Sequence, residues 1–317
     1  MWKAFSSKLN GNRKTMTAPL FLLAPPRSYT SLINAMVGQH PQLFGLPELN
    51  LFNVKQIKDL WRRVSNEVGG DSNRRHGLLR AVAEIYGGEQ TTATIEMAQH
   101  WAAARENQTT GQVFQELAAR LHPLIPVEKS PAYTISLKRM TNILEACPDA
   151  RFIHLVRHPV PQCTSVMNLN KGVFALFVNS FEFKENRAVV EPQIAWHDIN
   201  INILNFLEMV PEDHQIRLKG EDFMAHPHEH LKMICRWLGV RDDEEAIEEM
   251  MHPERSPFAC FGPISALFGN DPNFLRGPAF RQHTPRTPPL DSTLPWREDG
   301  KGLRPEVIAL AREFGYA

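Results

Sequence analysis

The sequence predicts an α/β fold, a parallel sheet flanked by helices. Three observations carry that reading. Short apolar runs at Leu20–Ala24, Ile125–Glu128, Arg151–Val156 and Gln215–Leu218 read as strands, the last three bounded by turns as strands buried on both faces are. Segments with helical spacing of apolar residues alternate with them. The 317 residues are enough to bury a full core, and they contain neither an internal repeat nor an apolar run of membrane-spanning length.

The first strand breaks on Pro25 and Pro26 into a polar turn, Arg27-Ser28-Tyr29-Thr30-Ser31. A helix over 30–38 follows, because Leu32, Ala35, Met36 and Val37 recur three and four apart with Gly38 near the end. Further helices are predicted at 51–67, 75–86, 91–105 and 111–121, then at 137–146, 159–168 and 192–209, and finally at 228–238, 243–250 and 304–314. One domain is expected over 18–317. Residues 1–17, with Lys3, Lys8, Arg13 and Lys14 and no acid, read as a disordered tail, and Met16 offers an alternative start. The Pro- and Gly-rich stretch at about 253–291 is too long for a simple connection, so an ordered lid or binding loop is expected there.

Lys+Arg and Asp+Glu balance at 35 each, so no global field recruits nucleic acid or an acidic membrane, and any anion site must be local. Cys147, Cys163, Cys235 and Cys260 lack the pairing of a metal site or a disulfide framework and read as reduced thiols of a cytoplasmic protein.

Two motifs supply a local anion site. A strand, a tight turn and a helix start bring free N–H groups and the positive end of the helix dipole together. The turn at 24–31 lacks the glycines and lysine of a Walker loop but carries Arg27 and the hydroxyls of Ser28, Thr30 and Ser31. In "RFIHLVRHPVPQCTSVMN" a strand delivers Arg157 and a helix carries Ser165 two turns on, a spacing that lets both grip one phosphate. Either motif alone also suits an ordinary capped helix or surface loop. Their pairing, in this order on two strand ends, is the stronger signal.

The order "APPRSYTSL", "LPEL", "VEKSPAYT", "FIHLVRHPVPQCTSVM" resembles the sulfotransferases that use 3′-phosphoadenosine-5′-phosphosulfate (PAPS). The branch with tyrosylprotein sulfotransferases and bacterial natural-product sulfotransferases is the most similar. The likeness continues through "KGEDFMAHPHEHLKMICRWLGV" and the C-terminal "WREDGKGLRPEVIALAREFGYA". It implies a fold like that of P-loop kinases. It implies that the loop Arg27, Ser28, Tyr29, Thr30 and Ser31 holds the 5′-phosphosulfate, and that Arg157 and Ser165 hold the 3′-phosphate. Glu48, which position alone leaves as either a base or a helix-capping acid, becomes the general base. Lys129, with Arg27, becomes the clamp on the bridging oxygen. No metal is implied, and the acceptor is expected to be a hydroxyl of a small apolar molecule, free or on a carrier protein.

Two rivals stand beside this reading. A nucleotide kinase-like phosphotransferase would need the missing loop lysine and an acidic strand end for magnesium. A non-catalytic nucleotide-binding module would not need both Glu48 and Lys129.

The sequence departs from the family pattern at Tyr29, where glycine is common, at Gly220, where an aromatic residue is common, and at Asn50, where some acyl-modifying relatives carry histidine. A backbone needing positive φ resists tyrosine, so a strained or reshaped loop is expected at Tyr29. His154 reads as a core histidine, and His122, His158, His197, His226 and His228 show no metal-ligand spacing. Phe258, Phe261, Phe268 and Phe274 suit either an apolar acceptor pocket or ordinary loop packing.

Overall fold

A computed structural model of the chain describes residues 17–61, 73–169, 178–184 and 187–317. Strand β1 (Leu20–Leu23) is buried at every position and lies at the centre of the sheet. The other strands are β2 (Leu43–Gly45), β3 (Ile125–Glu128), β4 (Arg151–Val156) and β7 (Gln215–Lys219), with an antiparallel pair β5 (Phe181–Lys184) and β6 (Arg187–Val190) apart from them. The sheet order is β2-β3-β1-β4-β7, every pairing is parallel, and Leu20 sits opposite Val127 on one side and Arg151 on the other. The fold class is therefore as the sequence predicts.

Helices cover both faces: α1 (Thr30–Gly38), α2 (Asn73–Val82), α3 (Thr92–Ala103), α4 (Thr110–Leu121), α5 (Leu137–Ala146), α6 (Pro159–Met167), α7 (Pro192–Leu207), α8 (Gly220–Ala225), α9 (Pro227–Leu238), α10 (Glu244–Met250), α11 (Pro272–Arg276) and α12 (Pro305–Glu313). The period of two along the strands divides the core. Phe21, Leu23 and Phe152 pack with Phe52, Phe114 and Phe206 on one face. Leu20, Leu22 and Ile153 pack with Ile33, Val37 and Phe223 on the other. None of the described helices is long and apolar enough to cross a membrane.

The structure corrects several expectations. The helix predicted at 51–67 is instead a pair of 3-10 turns, Leu51–Asn53 and Ile57–Trp61, and residues 62–67 lie outside the described part. Its amides are taken by tertiary partners: Ile57 N–H donates to Gln108 O at 3.2 Å and Lys58 N–H to Glu106 O at 2.9 Å. Helix α2 opens into a π-turn at Ala83–Gly87 rather than running straight to 86. Strand β2, the β5–β6 hairpin and helix α8 were not foreseen. Of the predicted tail, residues 1–16 lie outside the described part, and Thr17 already bonds Leu124 O at 3.0 Å.

The late segment makes two 3-10 turns, Pro253–Arg255 and Ile264–Ala266, and then α11. Arg80, fully buried on α2, holds it: its guanidinium donates to Phe268 O at 3.1 Å and Pro257 O at 3.4 Å. Helix α2 also touches the segment that follows β2, because a Cβ on Gly77 would lie 1.9 Å from Glu48 O. The obstacle is backbone and cannot rotate away. Gly77→Ala is therefore expected to destabilise the protein by about 1–3 kcal/mol, as overpacking a close contact does, measured as a lower midpoint of urea unfolding with an unchanged slope.

Candidate active site

Each segment singled out in the sequence follows the carboxyl end of a parallel strand, the edge where such sheets hold ligands. The Arg27–Tyr29 turn follows β1, Glu48 follows β2, Lys129 follows β3, Arg157 follows β4 and Gly220 follows β7. The topology thus gathers on one edge residues that lie far apart in the chain.

A cavity of about 330 Å³ opens at that edge, and Arg27, Tyr29, Thr30, Ser31, Arg157 and Ser165 all line it. Arg27 Nε donates to Ser165 Oγ at 3.0 Å, and an Arg157 guanidinium nitrogen donates to Arg27 O. Ser28 lies elsewhere. It is fully buried under the turn, outside the cavity wall, and its Oγ has no partner among the described residues.

The turn is strained as expected, with φ of 68° at Arg27 and 62° at Tyr29. The Arg157 guanidinium carbon lies 4.2 Å from the Tyr29 ring centroid. Burial outweighs that cation and pushes the Tyr29 hydroxyl above its usual range, and burial likewise holds Arg157 below its own.

Lys129 and Glu48 form a second cluster behind Ser31. The Lys129 ammonium is only 1% exposed, pairs with Glu48 Oε1, and donates to Ser31 Oγ at 2.9 Å and to Asn270 Oδ1 at 3.4 Å. The Glu48 carboxylate is 25% exposed, so it alone of this pair reaches solvent appreciably. Its backbone N–H donates to Gly269 O at 2.7 Å. Glu48 therefore does not cap a regular helix; the turn after it is three residues of 3-10 helix.

Three contributors were missed at the sequence level. The late segment supplies Asn270 to Lys129 and Asp271 to Arg27, the latter as an ion pair. Asp271 also accepts from Asn273 N–H at 2.8 Å, and the "NDPN" start of α11 was the available signal. The third is Glu128, an acid ending an apolar strand. Its Oε1 accepts from Leu49 N–H at 3.1 Å, Ser130 Oγ at 2.6 Å and Tyr133 OH at 3.3 Å, while Ser130 Oγ accepts from Asn50 N–H at 3.0 Å. One buried carboxyl thereby fixes two successive amides beside Glu48. Asn50, at φ 56°, makes the turn between them.

Of the four late phenylalanines, Phe274 lines the cavity. Phe258 packs edge-on to Phe44, Phe268 stacks on His76, and Phe261 is 39% exposed. His154 is a core residue as expected: it is buried, its Nε2 bonds Asn200 Oδ1 at 3.0 Å, and desolvation lowers its pKa to about 3.

Burial raises the Glu128 carboxyl to about 7, against the lowering by Ser130 and the Leu49 amide. An acid raised on folding gives stability that is whole below its ordinary value near 4.5 and is lost as pH rises through about 7. Glu128→Gln, neutral throughout, escapes that loss. Its stability relative to the parent is expected to improve by about 2–3 kcal/mol between pH 4.5 and 7.5, measured by denaturant unfolding across the range.

The family model described as "Sulfotransferase family" matches residues 19–244. The structure is similar to the sulfotransferase domain from the curacin biosynthetic pathway, at 23% identity and TM-score 0.75, covering 95% of this chain and 98% of that one. It is also similar to the sulfotransferase domain from the Synechococcus PCC 7002 olefin synthase, at 24% identity and TM-score 0.69, covering 98% of each. No curated protein sequence matches. The fold is shared with those two domains, and the family match spans the strands that lead to Arg27, Glu48, Lys129 and Arg157: the chain belongs to the sulfotransferase family.

Proposed function

We propose that this sulfotransferase moves the sulfuryl group of PAPS to a hydroxyl of a small apolar acceptor, free or on a carrier protein. One domain over 18–317 carries the activity, with 253–291 as its binding loop. The observation that carries the reading is the convergence of two guanidinium groups, Arg27 and Arg157, with the Ser165 hydroxyl on one cavity at the strand ends. The fit is supported by an unused donor: Arg157 Nε is buried without a partner among the described residues. Three free buried cysteines, Cys147, Cys163 and Cys235, suit a reducing cytoplasm. The two similar domains come from a curacin pathway and an olefin synthase, in keeping with a small-molecule acceptor.

In this reading Arg157 and Ser165 hold the 3′-phosphate, and Arg27 with Tyr29, Thr30, Ser31 and the buried Ser28 forms the loop for the 5′-phosphosulfate. The donor, when bound, supplies a sulfuryl group on a phosphosulfate anhydride. Glu48 takes the proton of the acceptor hydroxyl, and its partial exposure suits a group that must meet an incoming acceptor. Lys129, reaching the loop through Ser31, neutralises charge that grows on the bridging oxygen, with Arg27 sharing the task. No step calls for a metal, since positioning and fixed charge supply the stabilisation.

Two outcomes test the reading. The protein should bind 3′,5′-ADP more tightly than 5′-AMP in calorimetry, and Arg157→Ala should abolish the difference at a cost on the order of 2–5 kcal/mol. Equal affinities in the parent would sink the donor assignment. Glu48→Gln should lower turnover by roughly a hundred- to ten-thousandfold while 3′,5′-ADP affinity stays near the parent value. A fully active Gln variant would leave Glu48 with only a structural part.

A further inference from the structure

Tyr29 is the N-cap of α1, at φ 62° and ψ 9°, and its side chain makes no capping hydrogen bond. That left-handed conformation suits glycine or asparagine and disfavours a bulky residue. The ring is thus held where the backbone resists it, and its contacts show what it does there.

On one side it meets Gly220. A Cβ at that position would lie 2.7 Å from Tyr29 Cδ2 and 3.3 Å from Cε2, so the ring sits there because residue 220 has no side chain. On another side lies Arg157, its guanidinium carbon 4.2 Å from the ring centroid. Both side chains line the cavity.

Arg157 is held in an unusual way. Its side chain donates to Arg27 O, a main-chain carbonyl, and among the described residues no carboxylate forms an ion pair with it. Arg27, by contrast, is paired with Asp271. An acid would orient Arg157 and cancel its charge together. Glu221 acts on it only through space; a carbonyl and an aromatic face orient it and leave its free N–H donor for a ligand.

We propose that Tyr29 is a positioning residue for Arg157: its ring, seated on Gly220, fixes the guanidinium toward the 3′-phosphate of the donor. The proposal rests on the PAPS reading and adds to it the residue on which preference for the 3′-phosphate depends.

The test is calorimetry of 3′,5′-ADP and 5′-AMP on the parent, Tyr29→Phe, Tyr29→Asn, Tyr29→Gly, Gly220→Ala and the Tyr29→Gly/Gly220→Ala pair, with a melting curve for each. Tyr29→Phe keeps the ring and should keep the parent preference. Tyr29→Asn and Tyr29→Gly suit the backbone but lack the ring. They should lose roughly two- to thirtyfold in 3′,5′-ADP affinity, the range for a cation–π contact from exposed to desolvated, over and above whatever 5′-AMP loses through the same turn. Gly220→Ala should cause a similar loss when Tyr29 is present and none when residue 29 is glycine, a coupling that a general loss of stability does not produce. Ringless variants that melt cooperatively and keep the parent preference overturn the proposal, as does an equal loss for both nucleotides. A parent without preference is a different failure, visible before any variant is made: the donor reading falls, and this inference with it.

Discussion

Much of the site is organised by one cost, that of burying the Lys129 ammonium. An unpaired cation at 1% exposure would be penalised by several kcal/mol, so the fold must bring it partners. It does so from three directions. Ser31 comes from the first turn of α1, Glu48 from the segment after β2, and Asn270 from the late segment. Those groups are themselves tied down: the Glu48 main-chain N–H donates to Gly269 O, the Asn270 side-chain amide to Phe258 O and the Leu49 N–H to Glu128, while Ser31 Oγ also accepts from the Asp271 N–H at 3.4 Å. Satisfying one buried charge therefore fixes the geometry of four chain segments.

Four of the five strands of the parallel sheet were legible because strands buried on both faces are short apolar runs, as LFLL at β1 is. Helices whose apolar residues recur three and four apart were legible to the residue, as at 30–38 and 137–146. The stretch 51–67 also offers apolar residues at helical spacing. Its backbone amides are claimed by the 106–108 loop, and nothing local in the sequence announces that. Strand β2 escaped notice because three residues ending in glycine are too few to show a period.

At the site, residues after strand ends were legible, since motif and position agree there. Asn270 and Asp271 were not, because their partners lie 141 and 244 positions away and only the fold joins them. The strain at Tyr29 could be anticipated from the resemblance, in which glycine is common at that position. Its dependence on Gly220 could not, although both departures from the family pattern were visible one by one. They are two halves of one contact.

The ion pair between Arg27 and Asp271 changes what an affinity at this cavity means. In the proposed reading an anion arriving at Arg27 does not meet a bare cation; it competes with a carboxylate already seated there. The free energy read in a titration is then the difference between two ion pairs, not the strength of one. Part of that difference belongs to the chain, since Asp271 gives up its partner while still capping α11 through Asn273. Ligand and protein compete for the same guanidinium, and the late segment sets the reference against which every anion is weighed.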